Sequence, residues 1–214
     1  MAKSMAAATA TAALSQVVRD IDLGAVIADR KRLDRSPSLN TYILAATAQA
    51  LPLHPFLNGR LDDDNRTVHL HQRVNLGVAV ATDDGLIVPV VHGADQLGFD
   101  ALGAAVAALA NKARTGGLTI DDVSAGTFTV SNLGMFGIDS GFAIPPPPQG
   151  AILLVGRAKP TFVPGDEGQP VVRTDARFGL TFDHRFIDGV TAAALLGALD
   201  SALADPVRLR GAEA

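Results

Sequence analysis

The chain has 214 residues, a formal net charge of -4 and no cysteine. This length predicts a single domain over residues 1–214. Without cysteine, the protein has no disulfides, no thiolate nucleophile and no cysteine-bound metal. A negative net charge without a basic stripe argues against a nucleic-acid partner, and no apolar stretch is long enough to span a membrane. We therefore expect a cytoplasmic protein, or one of the mitochondrial matrix if the source is eukaryotic.

The first half of the chain is predicted to pass from a strand through two helices into a β-rich stretch. Alternating apolar residues predict a strand over 16–22, and a short helix is expected over 23–33. Ser38 is a typical N-cap, so a second helix is predicted from there to about Leu51. Further strands are predicted over 67–70, 74–81 and 86–91, with a hairpin turn over 83–85.

The second half is predicted to alternate between helices and strands. An amphipathic helix is expected over 99–114, ended by the glycines at 116 and 117. The remaining predictions are strands over 127–130, 151–156 and 177–182, a hairpin over 162–174, and a last helix over 188–204. This order of elements predicts an α/β fold with a mixed sheet.

The most informative segment is Asp183-His184-Arg185-Phe186-Ile187-Asp188-Gly189, which joins a predicted strand to the last predicted helix. A short connection after a strand often carries a catalytic group, and histidine is suited to proton transfer near neutral pH. Asp188 can cap the helix that follows. On these residues alone, His184 is equally compatible with a catalytic role and with that of a core histidine that only supports the structure.

Other polar residues give weaker signals. His69 and His71 lie two apart on a predicted strand and therefore face the same side. A metal site would need a third ligand, which is not evident, so the sequence predicts two surface histidines and no metal site. Ser131, taken alone, is an ordinary serine at the end of a predicted strand.

The histidine segment is accompanied by further motifs in a fixed order along the chain. They are Val74–Val80, Gly85–Val91, Lys112–Arg114, Gly126–Gly134 and Pro147–Gln149. Together with Asp183–Gly189 they resemble the catalytic domain of the dihydrolipoamide acyltransferases of 2-oxoacid dehydrogenase complexes. The resemblance extends from about Ala2 to Leu209, and several ordered motifs are far more specific than one short pattern.

The resemblance implies a fold, an assembly and a reaction. The fold is the two-layer mixed-sheet sandwich of the coenzyme A-dependent, chloramphenicol acetyltransferase-like acyltransferases. The assembly is a homotrimer with each active site in a channel between two subunits, and family trimers build larger 24- or 60-subunit cores. The implied reaction moves an acyl group between coenzyme A and dihydrolipoamide. Coenzyme A is a substrate of this reaction, and the lipoyl group is supplied by a separate domain.

The resemblance also assigns roles to residues. His184 is implied to be the base that removes a thiol proton, and the Ser131 hydroxyl to stabilise the tetrahedral oxyanion. Asp188 matches an acidic position that supports the site through an arginine ion pair. The first helix should provide that arginine, but this sequence offers only Lys3 there, so the partner of Asp188 is left open.

Contacts with coenzyme A are expected, again by resemblance, from Arg30, Ser38, Ser131, Asn132 and Gly156. This sequence departs from the family pattern at other positions. Ala81 and Ala110 stand where some relatives place polar cofactor contacts, and Pro145 and Pro146 replace the more usual isoleucine and asparagine. We expect the two prolines to change the wall of the substrate channel.

Two other functions stay open at this point. One is a coenzyme A-dependent acyltransferase with a small-molecule acceptor, and the other is a catalytically silent core scaffold, which the presence of His184 and Ser131 disfavours.

The lipoyl domain and the small subunit-binding domain of the family, which recruit the decarboxylase and dihydrolipoamide dehydrogenase components, have no counterpart in this sequence. We therefore expect a catalytic fragment or a stand-alone derivative. The motifs are shared by acetyl, succinyl and branched-chain enzymes.

Overall fold

The structure, a computed structural model, describes residues 10–34, 37–62, 66–83, 85–165 and 168–211. In chain order its elements are β1 (Leu14–Asp22), α1 (Gly24–Arg32), α2 (Leu39–Ala50), β2 (Gly59–Asp62), β3 (Thr67–Leu70), β4 (Leu76–Val78), β5 (Val80–Thr82), β6 (Gly85–Ile87), β7 (Val90–Val91), α3 (Phe99–Thr115), β8 (Phe128–Asn132), β9 (Ala151–Val155), β10 (Lys159–Pro164), β11 (Pro170–Asp183), α4 (Gly189–Ala204) and α5 (Pro206–Leu209). Lys3 and Asp84, which entered two of the predictions, lie outside the described residues.

The strands form one large mixed sheet and two small hairpins. Within the described ranges, the large sheet has seven strands: six in the order β1-β11-β9-β8-β4-β7, and β10, which pairs with the first part of β11. Strand β8 runs parallel to both of its neighbours, whereas the other pairs are antiparallel. The hairpins β2–β3 and β5–β6 lie outside this sheet. The predicted mixed sheet is confirmed.

Helices cover one face of the large sheet and so create the second layer. Side chains alternate along a strand, and in β11 the residues Ala176, Phe178, Leu180 and Phe182 all point into the buried core. Helices α2 and α4 pack against each other, and α4 also packs against β1. Burying a large apolar side chain contributes about 1.5–3 kcal/mol, so the contact between these layers stabilises the fold. None of the helices in the described ranges is long and apolar enough to cross a bilayer.

Three helix ends follow the predicted chemistry. The Ser38 hydroxyl accepts a hydrogen bond from the Thr41 backbone N–H at 3.0 Å and caps α2. Gly116, with a φ of 73°, ends α3 in the left-handed region. The Asp188 carboxylate accepts from the Thr191 backbone N–H at 2.7 Å and caps α4.

The structure corrects two of the predicted strands. The strand predicted over 74–81 is divided into β4 and β5, and the buried strand predicted over 86–91 is divided into β6 and β7. Pro89 has no N–H to continue a ladder, and its carbonyl instead accepts from the Val78 N–H at 2.9 Å. Leu86 is exposed rather than buried. The short elements β2 and α5 were not predicted, because four residues carry little periodicity.

Candidate active site

His184 directly follows β11, at a point where two hydrogen bonds fix the backbone. The Asp183 N–H donates to the Gly150 carbonyl at 2.9 Å, and the His184 N–H donates to the Ala13 carbonyl at 2.8 Å. His184 is exposed, and its ring centroid lies 5.4 Å from that of Phe182. The backbone is therefore held still while the imidazole stays accessible to a reactant.

The residues on either side of His184 form an ion pair. Asp183 is only 5% exposed, and its carboxylate accepts from Arg185 Nε at 3.0 Å and from Nη2 at 2.7 Å. It also accepts from the backbone N–H groups of Arg185, at 3.1 Å, and Ala13, at 3.3 Å. Sequence reasoning gave Asp183 no role, although its place beside His184 in the motif could have suggested one. The structure makes it the anchor of this turn.

Asp188 lies close to His184 but has no arginine partner within the described ranges. Its exposed carboxylate is the N-cap of α4, and the Thr191 N–H lowers the pKa of Asp188, with a smaller contribution from the charge of His184. The arginine ion pair implied by the resemblance is therefore not present among the described residues. Any contribution from Lys3 falls outside them.

Ser131 lies on the sheet face opposite the helices. Along β8, Phe128 and Val130 point into the helix-covered core, so Thr129 and Ser131 point to the other face. Ser131 is half-buried and pairs with Leu154 of β9. The hydroxyl is thus available on a face that the helix layer does not cover.

His184 and Ser131 lie at opposite ends of the sheet. Ser131 is in register with Leu154, which in turn is in register with Gly179 of β11. His184 is five residues beyond Gly179, which is about 16 Å along the strand, and two strand spacings add about 10 Å sideways. The backbones of the two residues are therefore roughly 19 Å apart. They cannot contact the same reacting atoms within one copy of the chain.

Three of the predicted coenzyme A contacts are brought together around the start of α2. Ser38 caps this helix, and the Asn132 side chain donates to Asn40 Oδ1 at 3.1 Å. Arg30 Nε donates to the Pro37 carbonyl at 2.7 Å. A cavity of about 310 Å³ opens beside Pro37 and Ser38. The helix N-terminus carries partial positive charge, which favours an anionic group beside Ser38, while Asp100 lines the far side of the same cavity.

Gly156, the fourth predicted contact, has a structural reason to be glycine. A Cβ at this position would collide with the Asp139 carbonyl oxygen, and one at Gly134 would lie 2.5 Å from the Gly156 carbonyl oxygen. The Gly156 N–H donates to the Arg177 carbonyl at 2.8 Å. These glycines let the loop after Ser131 pack directly on the end of β9, so Gly156 shapes the Ser131 end of the sheet.

Comparison with known proteins now decides the family. Residues 1–210 match the family described as 2-oxoacid dehydrogenases acyltransferase (catalytic domain). The chain belongs to this family. It is 38% identical, over 83% of its length, to the dihydrolipoyllysine-residue acetyltransferase component 5 of the pyruvate dehydrogenase complex of Arabidopsis thaliana. It is 34% identical, over 93%, to the dihydrolipoyllysine-residue succinyltransferase of the 2-oxoglutarate dehydrogenase complex of Rickettsia bellii. The chain spans only 38% and 51% of these two relatives.

Solved structures agree with this assignment. The dihydrolipoamide acetyltransferase of Azotobacter vinelandii superposes with a TM-score of 0.90 at 29% identity, covering 97% of this chain and 88% of that one. A chloramphenicol acetyltransferase superposes with a TM-score of 0.61 at 16% identity, covering 94% of each chain, which shows the shared fold alone. The predicted family and fold class are both confirmed.

Proposed function

We propose that this chain is the catalytic domain of a dihydrolipoamide acyltransferase in a 2-oxoacid dehydrogenase complex. It would transfer an acyl group between the thiol of dihydrolipoamide and the thiol of coenzyme A. Membership of the family and the accessible His184 beside a rigid turn support this proposal. The compartment expected from the sequence, the cytoplasm or the mitochondrial matrix, is part of the same proposal.

The observation that carries the mechanism is the separation of His184 and Ser131. Because they lie at opposite ends of the sheet, one reacting centre can use both only if they come from two copies of the chain. A ring of copies in which the His184 end of one meets the Ser131 face of the next repeats a single kind of interface. We propose a trimer of this kind, with three shared sites.

Within each shared site, the neutral imidazole of His184 accepts the proton of the attacking thiol. The thiolate adds to the thioester carbon, and the carbonyl oxygen becomes an oxyanion that accepts a hydrogen bond from the Ser131 hydroxyl of the neighbouring copy. Collapse of this intermediate breaks the original carbon–sulfur bond. The departing thiolate then takes the proton back from the imidazolium, which restores the enzyme.

A relative supports the choice of residues. Crystallographic and enzymatic investigations of the Azotobacter vinelandii enzyme concern the role of a serine, a histidine and an asparagine in its catalytic mechanism, and that asparagine follows the histidine by four residues. Asp188 follows His184 at the same spacing. Here the residue is a carboxylate, which would stabilise the imidazolium formed during the reaction. We therefore keep Asp188 as a supporting residue.

Coenzyme A would bind along the edge formed by α2 and the end of β8. Its phosphates suit the N-terminus of α2 near Ser38, with Arg30 as the nearby cation. Asn132 and Gly156 would border the arm that leads to Ser131. The thiol would then reach the sheet face on which Ser131 lies.

Assembly beyond the trimer belongs to the same proposal. A structure described as the cubic core of the pyruvate dehydrogenase multienzyme complex superposes with a TM-score of 0.90 at 29% identity. We propose that trimers of this protein also build a larger core. Lipoyl, decarboxylase and dihydrolipoamide dehydrogenase partners would be recruited through segments that the longer relatives have in addition to this domain.

The proposal is tested by complementation between two inactive variants. His184→Ala and Ser131→Ala chains are dissociated, mixed in equal amounts and reassembled, and acyl transfer from an acyl-coenzyme A to dihydrolipoamide is measured. In a ring with one kind of interface, about a quarter of the interfaces would combine an intact His184 with an intact Ser131. We expect about a quarter of the wild-type rate.

The controls are each variant reassembled with itself, which should stay inactive, and light scattering of the wild type. No recovery in a well-formed mixed oligomer would show that both groups act from the same copy. A monomeric but active wild type would also overturn the shared site.

A further inference from the structure

A cavity near the His184 end of the sheet has Arg60, His71 and Gln149 in its wall. It has a volume of about 300 Å³ and lies between the β2–β3 hairpin, the start of β8 and the segment Pro146–Pro148. Arg60 and His71 are the ionisable side chains of its lining, and no aspartate or glutamate is among the described lining residues. Such a lining favours an anion.

Arg60 is the unusual residue of this cavity. It is half-buried, yet it makes no ion pair or side-chain hydrogen bond with any residue in the described ranges. By contrast, Arg177 and Arg210 each form two hydrogen bonds to an aspartate, Asp20 and Asp29 respectively. A guanidinium is built to bind a carboxylate in this forked geometry, so Arg60 has this capacity unused.

Two more donors face the same space. His71 is half-buried and has no side-chain hydrogen bond to a described residue; burial first, and then the charge of Arg60, lower its pKa. The neutral ring still offers one N–H. Gln149 accepts the Thr129 hydroxyl at 2.7 Å through Oε1, and its Nε2 has no partner among the described residues. Both side chains can therefore donate to a bound anion.

The other polar groups of the lining are already occupied. Asn75 donates through Nδ2 to the Ala125 carbonyl at 2.9 Å and accepts the Gly93 N–H at 3.0 Å. The Thr127 hydroxyl donates to Asn58 Oδ1 at 2.6 Å. The rest of the wall is apolar and is formed mainly by valines and prolines. The cavity thus suits a carboxylate carried on a short aliphatic chain.

This cavity adjoins the surroundings of His184. Pro147, Pro148 and Gln149 also line a second cavity, of about 200 Å³, whose wall includes Asp183 and Arg185. The charge of Arg185 is already paired with the buried Asp183 carboxylate through Nε and Nη2, which makes it less suited to a ligand carboxylate than an unpaired arginine. Among the described residues that line these two cavities, Arg60 is the arginine without a carboxylate partner.

We propose that Arg60, with His71 and Gln149, binds the free carboxylate of a dicarboxylic acyl group. The enzyme would then prefer a succinyl-type acyl group to neutral ones such as acetyl or isobutyryl. This inference rests on the proposed acyl transfer and specifies its substrate class. It makes Arg60 a specificity-determining residue.

The first experiment compares acyl transfer from succinyl-, acetyl- and isobutyryl-coenzyme A to dihydrolipoamide. The wild type should show the highest kcat/KM with the succinyl group. Arg60→Gln should lower the succinyl-to-acetyl ratio of kcat/KM by about 10- to 100-fold, since a charge-assisted hydrogen bond is lost. Arg60→Lys should restore part of this ratio, because the charge is kept. Arg114→Gln, which removes an exposed arginine of α3, should leave the ratio unchanged.

A ratio that does not change in a folded Arg60→Gln variant would overturn the inference while leaving acyl transfer established. The second experiment does not need turnover. Succinate, but not the equally sized succinamide, should shift the ring NMR signals of His71, assigned with His71→Gln, and Arg60→Gln should abolish the shift. If the wild type transfers no acyl group but this shift is seen, the proposed function fails and the carboxylate site stands. Absence of the shift in the wild type would overturn the site itself.

Discussion

The two ends of the large sheet are built in different ways. At the His184 end, the buried carboxylate of Asp183 and two backbone hydrogen bonds hold the turn. At the Ser131 end, backbone hydrogen bonds hold the following loop, from Leu133 N–H to the Val155 carbonyl at 3.0 Å and from Arg157 N–H to the Ile138 carbonyl at 2.7 Å. The charged groups there form exposed ion pairs, in which Asp139 accepts from Arg157 at 3.0 Å and from Lys159 at 2.7 Å. Exposed pairs contribute little to stability, whereas a buried carboxylate is strongly dependent on its partners.

The two ends therefore contribute differently to the shared site. The base is positioned within one copy and needs no neighbour to hold its backbone. The Ser131 hydroxyl lies on a sheet face without a helix layer, so a neighbouring copy can approach it there. In the proposed trimer, association of copies completes the site for both ends, because the His184 end of one copy meets the Ser131 face of the next.

The largest expected effect comes from removing the base. His184→Ala should lower kcat for acyl transfer by about 100- to 10,000-fold, because the attacking thiol loses its proton acceptor. The fold should remain, since the hydrogen bond of this turn uses the His184 backbone N–H. Steady-state kinetics with circular dichroism checks this, and His92→Ala, an exposed histidine, is the matched control. A folded variant that keeps most of its activity would remove His184 from the role of base.

Ser131→Ala should have the next largest effect. We expect kcat to fall by about 100- to 1000-fold with little change in the KM for coenzyme A, because the hydroxyl acts mainly on the oxyanion of the transition state. Ser201→Ala, an exposed serine of α4, should be neutral. Weaker coenzyme A binding at an unchanged kcat would instead mark Ser131 as a substrate contact only.

A smaller effect, on the stability of the fold, should come from removing the buried carboxylate of Asp29. Asp29 of α1 is 5% exposed and accepts from the Tyr42 hydroxyl at 2.6 Å and from Arg210 at 2.9 and 3.0 Å. Asp29→Ala should lower the free energy of unfolding by about 3 kcal/mol, because Arg210 and Tyr42 lose a buried partner. Urea unfolding checks this value, with the exposed Asp121→Ala as control.

The same carboxylate gives a pH dependence of known sign. The hydrogen bonds from Arg210 first, and then from Tyr42, lower the pKa of Asp29 in the folded state. Its contribution is therefore complete above the unfolded pKa of about 3.9 and is lost as pH falls through the lower folded value. The stability difference between the wild type and Asp29→Ala should be constant near neutral pH and shrink below about pH 4. A difference that grows on acidification would contradict the ion pair.

Much of the secondary structure could be predicted from local sequence signals. Ser38, Gly116 and Asp188 end or begin their helices as expected, because caps depend on side chains only a few residues away. The strands over 74–81 and 86–91 were predicted wrongly, since a continuous apolar run does not reveal where a chain leaves one sheet for another. Pro89 was the available signal for that break.

The sequence by itself determined the family and indicated His184 and Ser131 as site residues, because the order of motifs along the chain can be recognised without knowing any distance in space. Only the tertiary structure decided that these residues lie roughly 19 Å apart in one copy, since strand order and register are set by long-range pairing. It also decided that Asp183 is buried with its arginine, whereas the half-buried Arg60 has no ion-pair partner in the described part of the chain. Whether a charge is paired depends on contacts between segments distant in the chain, which no local pattern of residues records.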